Sequence, residues 1–280
     1  MESLACRESV TDFLDICMSS SVAVAATADP VLIEDRVLSV MLGQEEMRKV
    51  DYFSTVQPEL RPHMRRIVTD WMLEVCEDQE AGTEVFLLAV HYLDTFLSST
   101  TIRKSQFQLA GATCLLLASK FSSVVPISAD QLVLYTDYSI TTEELVSWEL
   151  LLLQSLRWQL SVVTSYALAS HILPLLHLPQ SNTCNTLLLH AATSYSASSL
   201  PPSLIAAAAI LTSKADPSLL PRVAAITRHS EENIAKVADF LSSLAGLDTP
   251  RDAEKNVEEE TSRPITPKET HDVSAFLISC

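Results

Sequence analysis

This chain is poor in the residues and patterns on which several protein classes depend. Only 4 of its 280 residues are glycine, which disfavours a fold built on glycine-rich β-turns. Its wealth of Leu, Ala and Ser favours helix instead. Positive charge is in deficit: 19 Lys and Arg stand against 35 Asp and Glu, for a net charge of −16. Phosphate binding needs the opposite field, so nucleic acid is not expected as the main partner. Cys6, Cys17, Cys76, Cys114, Cys184 and Cys280 are scattered, with no CxxC or Cys/His cluster at zinc spacing. They read as reduced thiols of an intracellular protein, and no metal or other cofactor is expected. No run reaches the roughly 18 uninterrupted apolar residues of a membrane span; Leu150–Leu153 is short and follows Glu149. The N-terminus has no basic segment followed by an apolar run, so neither a secretory signal nor a membrane partner is expected. P-loop, GxSxG and HExxH signatures are missing, and His63, His91, His171 and His190 are dispersed. No catalytic residue is expected, and the chain reads as a protein that works by being bound.

What is present is an ample apolar fraction, 48% of residues, arranged at helical spacing. Residues 1–30 read as a flexible leader rich in Ser, Ala and Thr. Asp29-Pro30 opens a helix expected over 31–49. Five more helices are expected at about 58–79, 83–98, 105–122, 128–135 and 142–157, with Thr141 and Glu144 forming a capping box for the last. A second block follows, with helices at about 164–177, 182–197, 202–214, 218–226 and 230–245. Thr113–Lys120 (TCLLLASK) is echoed by Ala207–Lys214 (AAAILTSK), which points to a repeated helical unit. The divisions are therefore 1–30, 31–160, 161–246 and an acidic, Pro-punctuated tail over 247–280 that reads as disordered, turning apolar only over Val273–Cys280.

The most informative stretch is Pro62–Gln79, PHMRRIVTDWMLEVCEDQ. As a helix it puts Met64, Ile67, Val68, Trp71, Met72, Val75 and Cys76 on one apolar stripe, with Arg65, Arg66, Asp70 and Glu74 beside or opposite it. Met64-Arg65-x-Ile67-Val68 with Trp71 resembles the first helix of a cyclin box. The resemblance extends through His91–Leu97, Leu109–Ala112, Leu117-Ala118-Ser119-Lys120, Tyr135-Thr136-Asp137 and Trp148-Glu149. It covers about 31–160 closely and 161–246 more loosely. Pro62–Arg65, Trp71–Glu77 and Leu200–Ser203 are phrased as in D-type, G1-phase cyclins.

The resemblance implies an all-α fold of two tandem five-helix cyclin boxes with a preceding helix, and a regulatory, activating subunit of a G1 cyclin-dependent kinase. The expected kinase is 4 or 6. Lys120 and Glu149 would face it, with Phe121 and Leu152 adding apolar area. Charges at the edges of such apolar helices are costly unless paired or turned to a partner. Met64, Ile67, Val68 and Trp71, with Gln108, would form an exposed patch docking Arg-x-Leu motifs of substrates and Cip/Kip inhibitors, although plain core packing is the default for such a stripe. Leu4, Cys6 and Glu8 match the Leu-x-Cys-x-Glu motif that binds retinoblastoma-family proteins; in an extended peptide the three point one way. Thr266, before Pro267, resembles a D-type phosphorylation site, with Thr249-Pro250 as a competitor. A nuclear and cytoplasmic location is expected. Two departures stand out. Ser122-Ser123 follow Phe121 where many cyclins carry acids, and Thr95 stands where Arg is usual. These leave open a cyclin-fold adaptor or decoy that binds retinoblastoma proteins, inhibitors or transcription machinery without activating a kinase.

Overall fold

The computed structural model of the chain describes residues 35–45 and 51–247. Among the described residues there are twelve α-helices and no strand. The helix expected over 31–49 appears as α1, Asp35–Gly43; Gly43, a poor helix former, closes it early. A single turn, α2 (Tyr52–Thr55), follows. The first box is α3 (Pro62–Asp78), α4 (Thr83–Ser99), α5 (Phe107–Ser122), α6 (Ala129–Tyr135) and α7 (Thr142–Ser155). The second is α8 (Ser165–Leu175), α9 (Asn182–Thr193), α10 (Pro202–Lys214), α11 (Leu220–Thr227) and α12 (Glu231–Leu247). Short 3-10 turns at Lys104–Gln106, Ala197–Ser199 and Pro217–Leu219 lead into or out of them.

Sequence-local chemistry sets most helix starts. Ser128, Thr141, Thr164 and Ser181 each accept a hydrogen bond from a backbone N–H in the first turn of the helix they precede. The Thr141–Glu144 capping box forms as the spacing predicts. Helix ends show what glycine scarcity costs. Glu80, Arg157, Trp158, His177, Ala215 and Arg228 all take left-handed backbone angles near helix ends, and no described glycine does. Each such residue costs roughly 1–2 kcal/mol against an unstrained conformation. α7 and α8 stop about two residues before their expected ends, where Arg157 and His177 take these left-handed angles.

In each box one helix is central. α5 is buried from Phe107 to Ser119 and is packed by α3, α4, α6 and α7. α10 is buried from Ser203 to Ile210 and is packed by α8, α9, α11 and α12. These are the helices that carry the repeated TCLLLASK and AAAILTSK. Close approach in the first box depends on Gly111: a Cβ there would lie 2.9 Å from Val68 Cγ1 and 3.3 Å from Met72 Sδ. Cys76, Cys114 and Cys184 are buried free thiols. Burial pushes the Cys76 thiol up to about 12 and that of Cys184 up to about 11, so both stay protonated.

The two boxes meet over a buried ion pair. Arg65, read from the sequence as flanking the apolar stripe, is instead fully buried. Its Nε and Nη2 bind the two oxygens of Asp94, each at 2.8 Å. Its remaining donors reach the carbonyls of Thr193 (2.9 Å) and Ala192 (3.1 Å) at the end of α9. Burial opposes the guanidinium charge, but Asp94 beside it overrides that and raises its pKa. Tyr52 donates to the same carboxylate at 2.9 Å. Burial and Asp94 together push its phenol far up. α9 ends at Thr193, where Ser194 turns to an extended conformation, rather than near 197 as its pattern predicts.

Candidate functional site

The last turn of α5 and the middle of α7 lie side by side, and this brings Lys120 to Glu149. Lys120 Nζ donates to Glu149 Oε1 at 2.7 Å and Oε2 at 2.8 Å. The lysine side chain is 46% exposed and the glutamate 17%. A pair this open contributes about 0–1 kcal/mol to stability. Folding therefore does not require it, and its donors and acceptors remain available to a partner.

The elements that carry the pair, and those next to them in the first box, also carry exposed apolar side chains. Phe121, one residue on, is 48% exposed. Val124 and Val125 in the α5–α6 loop, Leu134 on α6, Tyr138 in the α6–α7 loop and Val146, Leu150 and Leu151 on α7 are exposed too. Trp158, just past α7, is 66% exposed. Monomeric surfaces seldom gather so many large apolar side chains on neighbouring elements without a binding use.

Leu152 needs correction. It is 2% exposed and faces the core with Leu145 and Leu156, at positions i, i+7 and i+11 of one helical stripe. It has no surface to offer a partner. The exposed apolar side chains of α7 are Val146, Leu150 and Leu151, which the sequence reading missed. The signal was available: a second set of apolar positions out of phase with the core stripe.

The proposed docking stripe is turned mostly inward. Val68 is fully buried against Gly111, and Met64, Trp71 and Gln108 are buried. Trp71 also spends its indole N–H on the carbonyl of Tyr135 at 3.3 Å. Only Ile67 is half-exposed. The five residues are brought together by α3 and α5, yet as core with one exposed member and not as an open five-residue patch. An acidic edge runs beside them: burial, with Asp70 and Glu77 nearby, raises the Glu74 carboxyl pKa. Leu4, Cys6, Glu8 and Thr266 lie outside the described residues. Thr95, in place of the usual Arg, donates to the carbonyl of His91 at 2.8 Å within its own helix.

The comparisons with known proteins agree with this architecture. Residues 36–161 match the cyclin N-terminal domain and 164–277 the cyclin C-terminal domain. The chain belongs to the cyclin family, and it is a regulatory subunit of a cyclin-dependent kinase and not itself an enzyme. Within that family the chain is similar to G1/S-specific D-type cyclins. G1/S-specific cyclin-D2 of Xenopus laevis is 40% identical over 204 residues, which span 70% of each chain. G1/S-specific cyclin-D1 of Homo sapiens is 41% identical over 204 residues, spanning 70% of this chain and 69% of that one. G1/S-specific cyclin-D3 of Bos taurus is 41% identical over 203 residues. Among solved structures, a viral cyclin from herpesvirus saimiri superposes with a TM-score of 0.65 at 23% identity, covering 75% of this chain and 97% of that one.

Proposed function

We propose that the chain activates cyclin-dependent kinase 4 or 6 and directs it to retinoblastoma-family proteins. The observation that carries this reading is the exposed Lys120–Glu149 pair set among open apolar side chains of α5, α6 and α7. Lys120 and Glu149 exchange their mutual bonds for bonds to the kinase's regulatory helix, while Phe121, Val124 and Leu150 bury apolar area against it. Binding the active kinase conformation better than the inactive one shifts the population toward it. The kinase's own Lys–Glu pair then assembles.

Leu4, Cys6 and Glu8 recruit the retinoblastoma substrate and raise its effective concentration at the kinase. Cip/Kip inhibitors and Arg-x-Leu substrates dock at Ile67 and the neighbouring edges of Met64 and Trp71, with the acids of α3 drawing in the motif's arginine. Thr266 is a phosphorylation site in the tail, and the complex works in the nucleus and cytoplasm.

The test is reconstitution of the full chain with purified kinase 4 or 6 and a retinoblastoma fragment. Phosphorylation that requires both subunits is the expected result, and Cys6→Gly should lower it while kinase co-purification is unchanged. A stable but inactive complex would replace this reading with that of a decoy.

A further inference from the structure

α10 is the central helix of the second box, yet its own sequence gives it no cap. Pro201 stands at the cap position and Pro202 at the first helical position, and no side chain there accepts a hydrogen bond. Pro202 also brings no N–H. The first free amide is that of Ser203, a residue that is 0% exposed. An unmet buried amide at the positive end of a helix is costly. α6 to α9 avoid that cost with serine or threonine immediately before them; α10 cannot.

The amide is met from 158 residues away. Glu45, two residues beyond the end of α1, accepts from the Ser203 N–H through Oε1 and from the Ser203 hydroxyl through Oε2, the latter at 2.8 Å. His229, just past α11, places Nε2 at 2.7 Å from the same hydroxyl oxygen. The hydroxyl has one proton and gives it to Glu45, so its oxygen accepts and His229 presents an Nε2–H. Serine, histidine and an acid meet here, but they are not wired for nucleophilic catalysis. The carboxylate holds the serine rather than the histidine, and the serine has no surface. A second tie reinforces the first: Arg228 Nη2 donates to Ser39 of α1 at 3.1 Å. Leu38 of α1 is buried as well, and α1 packs on α8.

We propose that Glu45 is the N-cap of α10, supplied from the far end of the chain, and that it clamps α1 onto the second box as a strap. α1 precedes the first box in sequence but is fastened to the second. The order of the N-terminal helix and the order of the central helix of the second box are thereby coupled.

Hydrogen exchange on the full chain tests the coupling. Glu45→Ala should speed exchange of the α1 amides and of the first-turn amides of α10 together, each by about tenfold, with α4 and α5 unchanged. Glu45→Gln, which keeps the side chain's shape, should give the same pattern at about threefold, and it covers the case in which the alanine variant does not fold. Ser39→Ala loosens only the second tie, and it should also speed α10 if the strap transmits order. The effects of Glu45→Ala and Ser203→Ala should be less than multiplicative in the double variant, because the two changes share the hydroxyl–carboxylate bond. Unchanged α1 protection in Glu45→Ala and Glu45→Gln, or a double variant equal to the product of the singles, would overturn the clamp.

Discussion

Lys120 and Lys214 stand at the same place in two similar helices, each ending a Ser-Lys at the last turn of the central helix of its box. Lys120 reaches across to Glu149 on a neighbouring helix. Lys214 donates to the carbonyl of Pro179 in a loop, at 2.9 Å. The difference runs through the whole of each box. Every large, exposed apolar side chain among the described residues lies at or before Trp158, and none lies in the second box. The second box buries a run of small residues, Ala206 to Ala209, in its central helix and closes its surface. One plan for a core thus supports two surfaces, one with exposed large apolar side chains on the first box and one without them on the second.

The contrast can be broken at several points. Arg65→Ala should have the largest effect, since it removes the cation from the buried Asp94 carboxylate and frees the contact between boxes; a loss of about 3–5 kcal/mol is expected in denaturant unfolding. Gly111→Ala should cost about 1–3 kcal/mol through its clash with Val68 and Met72. Val68→Ala in the same chain should recover part of that loss, whereas an unaffected Gly111→Ala would mean α3 can move away from α5. Ala215→Gly, at a left-handed position ending α10, should stabilise by about 1 kcal/mol. Lys120→Ala should change stability by less than about 1 kcal/mol, which separates a binding residue from a folding one.

The smallest effect concerns Glu84, whose carboxylate accepts from the Thr164 hydroxyl at 2.5 Å between the boxes. Burial raises its pKa. A carboxyl raised in the folded state favours folding below its unfolded pKa, and that advantage is lost as pH rises through the folded value. Glu84→Gln should therefore raise the melting temperature at neutral pH, with the gain vanishing toward pH 4. A gain independent of pH would assign the effect to packing.

Much of this was legible in the sequence because the signals were local. Ten helices of the two boxes, the Thr141–Glu144 cap and the two central helices follow from apolar period, proline position and a repeated octapeptide. The juxtaposition of Lys120 and Glu149 was legible through resemblance, and the structure pairs them. The misreadings concern long-range partners. Arg65 reads from the sequence as flanking the apolar stripe, because nothing nearby in sequence says that Asp94 lies opposite. The signal was Asp94 itself, an isolated acid in the apolar run FLLAVHYLDTFL. Leu152 faces the core while Leu150 and Leu151 face out, a split that the phase of Leu145 and Leu156 marks within the run of four leucines. Glu45 and Ser203 carry no local hint of each other at all.

On the proposed reading the first box presents the kinase-binding surface, and Lys120 and Glu149 belong to it. Calorimetric titration of purified kinase 4 or 6 with Lys120→Ala, Leu150→Ser and Lys214→Ala tests it most directly. Lys120→Ala and Leu150→Ser should each bind at least about tenfold more weakly, while Lys214→Ala binds as the parent does. Parent-like affinity in the first two, with all three folded, would contradict the account and move the binding surface elsewhere.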